Sequence, residues 1–251
     1  MKKIKLSVPA SKRPVDPLEI FSKLTLRGSI ENIWDPQAEA LREWHKNRNQ
    51  QDVALEMTAE TIRDEQEYNG IRLKLAARLG TAVIPVQIDI GFGDAITPDA
   101  QWSEYPTLLK MPRPELRTYP KETVLAEKLQ IMTSLGIGNS RMKDFFDLWV
   151  MTQDFSFEGE LIAAAIQATF ERRGTPVPKS CPMALGPEFA EDVSKQAQWR
   201  AFLNRGRLRR ECPDFAEITK ALAAFFGPVL MAIEGGNFEA QWSPGGPWRA
   251  E

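Results

Sequence analysis

Histidine and cysteine are scarce in this chain of 251 residues, which contains one histidine and two cysteines. The single histidine, His45, excludes histidine-rich metal sites and argues against a Ser-His-Asp mechanism. The two cysteines, Cys181 and Cys212, lie in proline-flanked loops and have no metal-ligand spacing. We therefore expect a reduced pair and a cytoplasmic protein.

An excess of one charge sign is also missing. Lysine and arginine number 32 and aspartate and glutamate 34, which leaves a formal net charge of −2. This balance does not favour a nucleic-acid coat or a membrane-binding protein. Basic charge is concentrated in residues 200–210, where an arginine cluster is either a solvated helix end or a nucleic-acid contact. Residues 1–13 are basic, but no long apolar run follows, so we expect neither a signal peptide nor a spanning helix.

No phosphate-binding glycine loop is present. Residues 35–44 (DPQAEALREW) predict a short amphipathic helix, and residues 52–57 (DVALEM) predict a short strand. This order resembles the opening segment of a superfamily 2 helicase over residues 15–57. In such proteins a Gly-Lys-Thr loop follows the strand, whereas here residues 57–61 read MTAET. We therefore expect no nest of backbone amides for the phosphates of ATP in this segment.

Residues 70–91 predict a β-hairpin, because apolar and polar side chains alternate on both sides of Gly80 and Thr81. A two-residue turn with glycine first is typical of type II′. The register that pairs Leu79 with Ala82 makes one face of the hairpin wholly apolar, as burial of one face requires.

The other face of the hairpin places Arg72 opposite Asp89. One interpretation is a cross-strand ion pair worth roughly 0.2–1 kcal/mol. The alternative is a carboxylate beside a metal or phosphate, with Arg72 keeping Asp89 ionised. Pro85 cannot donate a ladder hydrogen bond, so the second strand is an edge or is bulged at that point.

The next segment predicts a helix that begins at Pro120, continues to about Leu135 and ends at Gly136. Lys128 lies at the centre of its apolar stripe, which consists of Val124, Leu125, Ile131, Met132 and Leu135. Lysine is almost never fully buried without a partner. Lys128 therefore either extends its ammonium to the surface or contacts an anion.

A second helix is predicted from residue 139 or 140 to about residue 152. Asp144 and Asp147 lie three residues apart on a side that also carries apolar residues, and Arg141 and Lys143 flank them. Either the two acids share a cation or shift each other's pKa, or they form a charge lattice around Lys143.

The C-terminal third predicts further helices at residues 158–173, at 188–204 and from Asp214 to beyond residue 222. Pro228 is expected to kink or end the last of these helices, and a tail rich in tryptophan, proline and glycine follows at residues 240–251. The expected anchors of the 188–204 helix are Phe189, Val193, Trp199, Phe202 and Leu203. The aromatic stripes are interpreted as core, or alternatively as a surface that packs against a tRNA acceptor stem.

Residues 60–248 resemble the AbiEii/AbiGii-like nucleotidyltransferase toxins of abortive-infection systems. Five segments carry the resemblance: 87–94 (QIDIGFGD), 119–128 (YPKETVLAEK), 139–149 (NSRMKDFFDLW), 169–176 (TFERRGTP) and 196–200 (QAQWR). The resemblance implies a nucleotidyltransferase core followed by a helical domain, and a reaction that uses Mg²⁺ and a nucleoside triphosphate. It also implies a separate antitoxin protein as partner, and in some members a tRNA acceptor.

By the same resemblance, Asp89 corresponds to the family's strand acid, a catalytic residue and metal ligand. Lys128 corresponds to its nucleotide-contacting lysine and Asp144 to its catalytic helix acid.

Three further residues, Asp147, Arg141 and Lys143, would line the nucleotide pocket.

One family motif is absent. The Asp-x-Asp strand that supplies the main metal carboxylates has no counterpart anywhere in the sequence. We therefore expect an α+β fold with an incomplete nucleotidyltransferase-like mixed sheet and a C-terminal helical domain, divided as 1–57, 58–118 and 119–251. The expected function is transfer of a nucleotide to an RNA (tRNA) or protein acceptor, impaired by the missing motif. The alternative is a non-catalytic remnant or partner-binding module, and no membrane partner is expected.

Overall fold

A computed structural model describes seven stretches of the chain: residues 5–8, 55–63, 69–79, 81–107, 112–206, 211–236 and 238–250. The helix expected at 35–44 and the arginines at 207–210 lie outside the described residues. The chain divides into two compact units, residues 1–94 and 95–251. The expected α+β class is confirmed; the three-part division at residues 57 and 118 stays a prediction.

The described residues of the first unit form a mixed four-stranded sheet in the order β1-β4-β3-β2. β1 runs parallel to β4, whereas β2, β3 and β4 form an antiparallel meander. The strands are β1 (Lys5–Val8), β2 (Leu55–Arg63), β3 (Asn69–Leu79) and β4 (Ala82–Phe92). β2 begins and ends later than the strand expected at 52–57, because it pairs with β3 along its whole length.

The predicted hairpin register is confirmed. Leu79 pairs with Ala82, and Arg72 pairs with Asp89. Pro85 lies outside the stretch of β4 that pairs with β1, which covers only Asp89–Phe92. The missing N–H of the proline therefore costs no hydrogen bond to β1.

Among its described residues, the second unit contains a hairpin, six α-helices and a small three-stranded sheet. Its elements are β5 (Gln101–Glu104), β6 (Glu115–Thr118), α1 (Lys121–Leu135), α2 (Met142–Asp154), β7 (Phe157–Glu158), α3 (Gly159–Arg172), α4 (Pro187–Glu191), α5 (Val193–Arg205), α6 (Phe215–Gly235), β8 (Ala240–Trp242) and β9 (Trp248–Ala250).

Helix boundaries follow local signals, with two corrections. α1 begins after Pro120 and ends at Gly136, whose φ of 48° suits glycine. The helix expected at 188–204 is two helices, because Asp192 leaves the helical conformation and its side chain accepts a hydrogen bond from the backbone N–H of Lys195. The last helix does not end at Pro228. Pro228 removes one backbone hydrogen bond of the helix, but packing outweighs this loss. Four neighbours of Pro228 in the helix are fully buried: Phe225, Phe226, Val229 and Leu230.

The expected apolar stripe of α1 is wrong in part. The buried apolar residues of α1 are Leu125, Ala126, Leu129 and Met132. Leu135, expected within the stripe, is 45% exposed. Lys128 therefore lies beside the buried face of α1 rather than at its centre.

Two tryptophans join the tail to the helical core: Trp242 lies within it, and the half-buried Trp248 packs against it. β8 pairs with both β7 and β9. The indole N–H of Trp242 donates to the carbonyl of Thr152, and that of Trp248 donates to the carbonyl of Phe225, both at 2.8 Å. Buried indoles need such partners, so these two bonds fix the tail against α2 and α6.

Helix α6 is long and apolar enough to cross a membrane, with a mean hydropathy of 1.5. This finding differs from our expectation of no such segment. Its buried residues belong to the core of the second unit, where Phe225 packs edge-on against Phe226 and Trp242. A core helix meets the same length and composition test, and these contacts place the buried side of α6 in the core.

Candidate functional site

The second unit brings together Lys128, Asp144 and Asp147. The ammonium of Lys128, on α1, donates hydrogen bonds to both carboxylates of α2; the contact with Asp147 measures 3.0 Å. The side chains of Lys128, Asp144 and Asp147 are 18%, 6% and 25% exposed. Lys128 therefore contacts an anion within the chain itself, and the two acids share its charge.

Two more cations surround this group. The Nε of Arg141 donates to Oδ2 of Asp144 at 2.5 Å, and Lys143 donates to Asp147. The side chains of Arg141 and Lys143 are 53% and 71% exposed. We call these five residues the lysine cluster; its three cations and two acids carry a formal surplus of one positive charge. Both interpretations of the acid pair, a shared cation and a charge lattice, are therefore present together.

The carboxyl of Asp144 stays ionised in this setting. Burial raises its pKa, but hydrogen bonds and charge from Lys128 and Arg141 outweigh burial. The pKa of Asp144 therefore lies below its ordinary value of 3.8. An ionised and buried Asp144 holds the Lys128 ammonium in place and is a poor proton acceptor near neutral pH.

Asp89 belongs to the first unit, and its carboxylate has partners on its own sheet. Arg72 donates from Nε to Oδ1 at 2.7 Å and from a terminal nitrogen to Oδ2 at 3.2 Å. The Nε2 of Gln87 lies 3.1 and 3.2 Å from the same two oxygens. The cross-strand ion pair expected from the sequence is therefore present, and the catalytic and metal roles of Asp89 stay predictions.

The described residues do not fit a Mg²⁺ ion. Among them, no three acid, histidine or cysteine side chains are grouped as metal ligands. Mg²⁺ prefers carboxylate oxygens in octahedral geometry, but the carboxylates of Asp144 and Asp147 accept from Lys128, Arg141 and Lys143. Asp89 is likewise engaged by Arg72 and Gln87.

Lys195 was not among the residues expected at the site, and Asn139 was expected only as a candidate cap of the second helix. Lys195, on α5, is 6% exposed and donates to the backbone carbonyl of Asn139 at 2.9 Å. Val193, expected as an anchor of this helix, is instead 78% exposed. The burial of Lys195 could have been inferred from its position four residues before Trp199, because residues four apart share a helix face.

Comparison with known families covers most of the chain. Residues 21–221 match the family model described as nucleotidyl transferase AbiEii toxin, type IV toxin–antitoxin system. The chain belongs to this family. Comparison with curated proteins and with solved structures gave no match.

Family membership confirms the resemblance carried by the sequence motifs and assigns the chain to nucleotidyltransferase toxins. It implies a nucleoside triphosphate substrate and an antitoxin partner. The matched range begins at residue 21 and thus includes much of the segment with helicase resemblance, which stays a prediction. All members of the lysine cluster, and Asp89, lie within the match.

Proposed function

We propose that this AbiEii-family protein transfers a nucleotide from a nucleoside triphosphate to an RNA, with tRNA as the first candidate, or to a protein acceptor. The observation that carries the proposal is the lysine cluster. Lys128 is anchored by the buried Asp144, while Arg141 and Lys143 are exposed beside it. An anchored cation with exposed cations around it is suited to a polyphosphate chain.

The exposed ion pairs of the cluster can exchange partners at small cost. A surface ion pair is worth only about 0–1 kcal/mol, so Lys143 can leave Asp147 for a phosphate oxygen. Arg141 can likewise present its free guanidinium N–H groups to a second oxygen. Asp144 keeps its hold on Lys128 during this exchange because its side chain is only 6% exposed. Lys128 thus presents a fixed positive charge to the bound nucleotide. When no nucleotide is bound, Asp147 holds the cluster together.

In the proposed reaction, a hydroxyl oxygen of the acceptor bonds to the α-phosphorus of the nucleotide. The bond from that phosphorus to the bridging oxygen breaks, pyrophosphate leaves, and the hydroxyl proton passes to water. Negative charge grows on the leaving pyrophosphate, where the cations of the lysine cluster stabilise it. Asp89 is proposed, by family resemblance, as a catalytic carboxylate of the sheet unit.

A Mg²⁺ requirement belongs to the same proposal. Because Asp89, Asp144 and Asp147 are engaged by cations, the ion would need further ligands, and another protein chain is one source. We derive no step through the metal. The missing Asp-x-Asp strand leads us to expect transfer that is slow for this family.

A second candidate function is a non-catalytic protein that binds a partner through the helical unit. The absent Asp-x-Asp motif and the occupied carboxylates favour it. The antitoxin that family membership implies is the natural partner.

The two candidates separate in a label-transfer assay. Purified protein is incubated with each of the labelled nucleoside triphosphates in turn, together with Mg²⁺ and total tRNA. The assay is then repeated with the variants Lys128→Ala, Asp144→Ala and Lys220→Ala. Lys220 is an exposed lysine of α6 and serves as the matched control. Transfer that both cluster variants abolish and the control keeps would support the enzyme. No transfer with any nucleotide by the unsubstituted protein would overturn transfer to tRNA and favour the binding protein.

A further inference from the structure

Lys195 is a buried lysine that the proposed reaction does not use. Its ammonium donates to the carbonyl of Asn139 at 2.9 Å and lies 5.0 Å from the centre of the Phe189 ring. Within the part of the chain that the structure describes, its ammonium forms no ion pair with a carboxylate. Burial of an ammonium is unfavourable unless its hydrogen bonds compensate for the lost hydration. The carbonyl that Lys195 contacts is therefore informative.

Asn139 fixes the connection between α1 and α2. Its side chain is fully buried, and its backbone N–H donates to the carbonyl of Gly136 at 3.2 Å. Its Oδ1 accepts from the backbone N–H of Arg141 at 2.9 Å. Arg141, the residue before α2, makes no capping bond with its own side chain. Asn139 thus satisfies a backbone N–H at the start of α2, and Lys195 holds Asn139 through its carbonyl.

The start of α2 leads directly to the lysine cluster. The carbonyl of Arg141 accepts from the backbone N–H of Asp144 at 2.8 Å, and the side chain of Arg141 donates to the carboxylate of Asp144. Asp144 in turn holds Lys128. A continuous series of hydrogen bonds therefore runs from Lys195 through Asn139 and Arg141 to this pair.

We propose that Lys195 is a positioning residue, which fixes the α1–α2 connection so that Arg141 and Asp144 hold the Lys128 ammonium in its nucleotide-binding position. The kinetic part of this inference rests on the proposed function; its structural part does not. A methionine at position 195 would fill similar space but leave the Asn139 carbonyl without its donor. The connection could then shift, and small shifts of a catalytic group lower rates far more than they lower stability.

The test compares Lys195→Met with Lys195→Arg, which keeps a charged donor, and with Lys220→Met as the exposed control. Hydrogen exchange of the full chain is followed in peptides that cover residues 139–146 and in peptides from α3 and α6. We expect Lys195→Met to raise exchange at 139–146 by about tenfold and to leave α3 and α6 within about twofold, since local openings need not spread to other elements. Lys220→Met should change neither region, and Lys195→Arg should restore part of the protection.

Label transfer supplies the second measurement. We expect Lys195→Met to lower kcat about tenfold while KM for the nucleotide changes less than about threefold, because positioning is felt mainly in the transition state. Partial recovery of kcat in Lys195→Arg would support the same account. If the unsubstituted protein transfers no nucleotide, the proposed function fails, and hydrogen exchange still decides the role of Lys195.

Two exchange results would overturn the inference. Unchanged exchange at residues 139–146 would show that Lys195 does not hold the connection. A uniform rise in all helices would show a general contribution to folding and no positioning role. If Lys195→Met fails to fold, Asn139→Ala tests the same connection from its other end. A rise confined to the start of α2 would then support the inference, and no local rise would contradict it.

Discussion

The two units each carry a group of paired charges, and the groups differ in how completely they are matched. In the sheet, Asp89 receives two hydrogen bonds from Arg72 and is further contacted by Gln87. The side chain of Arg72 is 28% exposed, and that of Asp89 is 21% exposed. In the helices, one lysine is held by two acids, and each acid also holds an exposed cation.

This difference separates the sheet pair from the candidate nucleotide-binding site. One arginine and one acid in a two-point contact leave little charge with which to attract an anion. The lysine cluster has a formal excess of one cation, and its outer members are exposed. The sheet pair therefore gives little support for nucleotide binding, whereas an anchored lysine with exposed cations beside it gives more; the catalytic role of Asp89 stays a proposal.

The largest effect is expected from Lys128→Met. Label transfer should fall at least about a hundredfold, because a fixed charge on the nucleotide is lost. The free energy of unfolding should fall by about 2 kcal/mol, since the buried Asp144 keeps only Arg141 as a cation. Transfer rates and urea unfolding measure the two effects.

The matched control for this change is Lys143→Met, on the exposed side of the same cluster. Its effect on unfolding should stay within about 0.5 kcal/mol, as for other exposed ion pairs. Equal losses of stability in Lys128→Met and Lys143→Met would contradict the view that only the inner pair is anchored.

A pH-dependent loss of stability is expected from Asp144. Its pKa is lowered in the folded protein, so its contribution is fully present above the ordinary value of 3.8 and is lost as pH falls through the lower folded pKa. Asp144→Asn should remove this contribution and flatten the curve of unfolding free energy below about pH 4. Urea titrations from pH 6 downward test this, and parallel curves for the two proteins would refute the assignment.

A smaller loss of stability than that of Lys128→Met is expected in the sheet. Arg72→Met should lower the free energy of unfolding by about 1 kcal/mol, because Asp89 is partly exposed and keeps Gln87. A double-mutant cycle with Asp89→Asn isolates the pair, for which we expect a coupling of about 0.5 kcal/mol. A coupling of several kcal/mol would mean that the sheet pair is as strongly anchored as the inner pair of the lysine cluster.

Local patterns explain which parts of the fold could be predicted from the sequence. The β3–β4 register follows from the alternation of apolar and polar residues and from a two-residue turn. Arg72 and Asp89 could therefore be paired without knowledge of the rest of the fold. The end of α1 at Gly136 is equally local.

Contacts between distant segments could not be predicted in this way. The sequence indicated that Lys128 either reaches the surface or contacts an anion. Its partners come from another helix, and the packing of α1 against α2 decides which acids it contacts. The roles of Lys195 and Asn139 depend on residues 56 positions apart. Leu135 is exposed although its spacing favours burial, because the partners of α1 cover a different face.

Triphosphate binding tests the central claim most directly. The claim is that the lysine cluster, and not the sheet pair, is the part of the chain that contacts the nucleotide. Titration calorimetry with nucleoside triphosphate would compare the unsubstituted protein, Lys128→Met and Arg72→Met. We predict that Lys128→Met raises Kd at least about tenfold, through loss of a charge-assisted contact, and that Arg72→Met leaves it within about twofold. The reverse order, with binding lost in Arg72→Met and kept in Lys128→Met, would contradict the account.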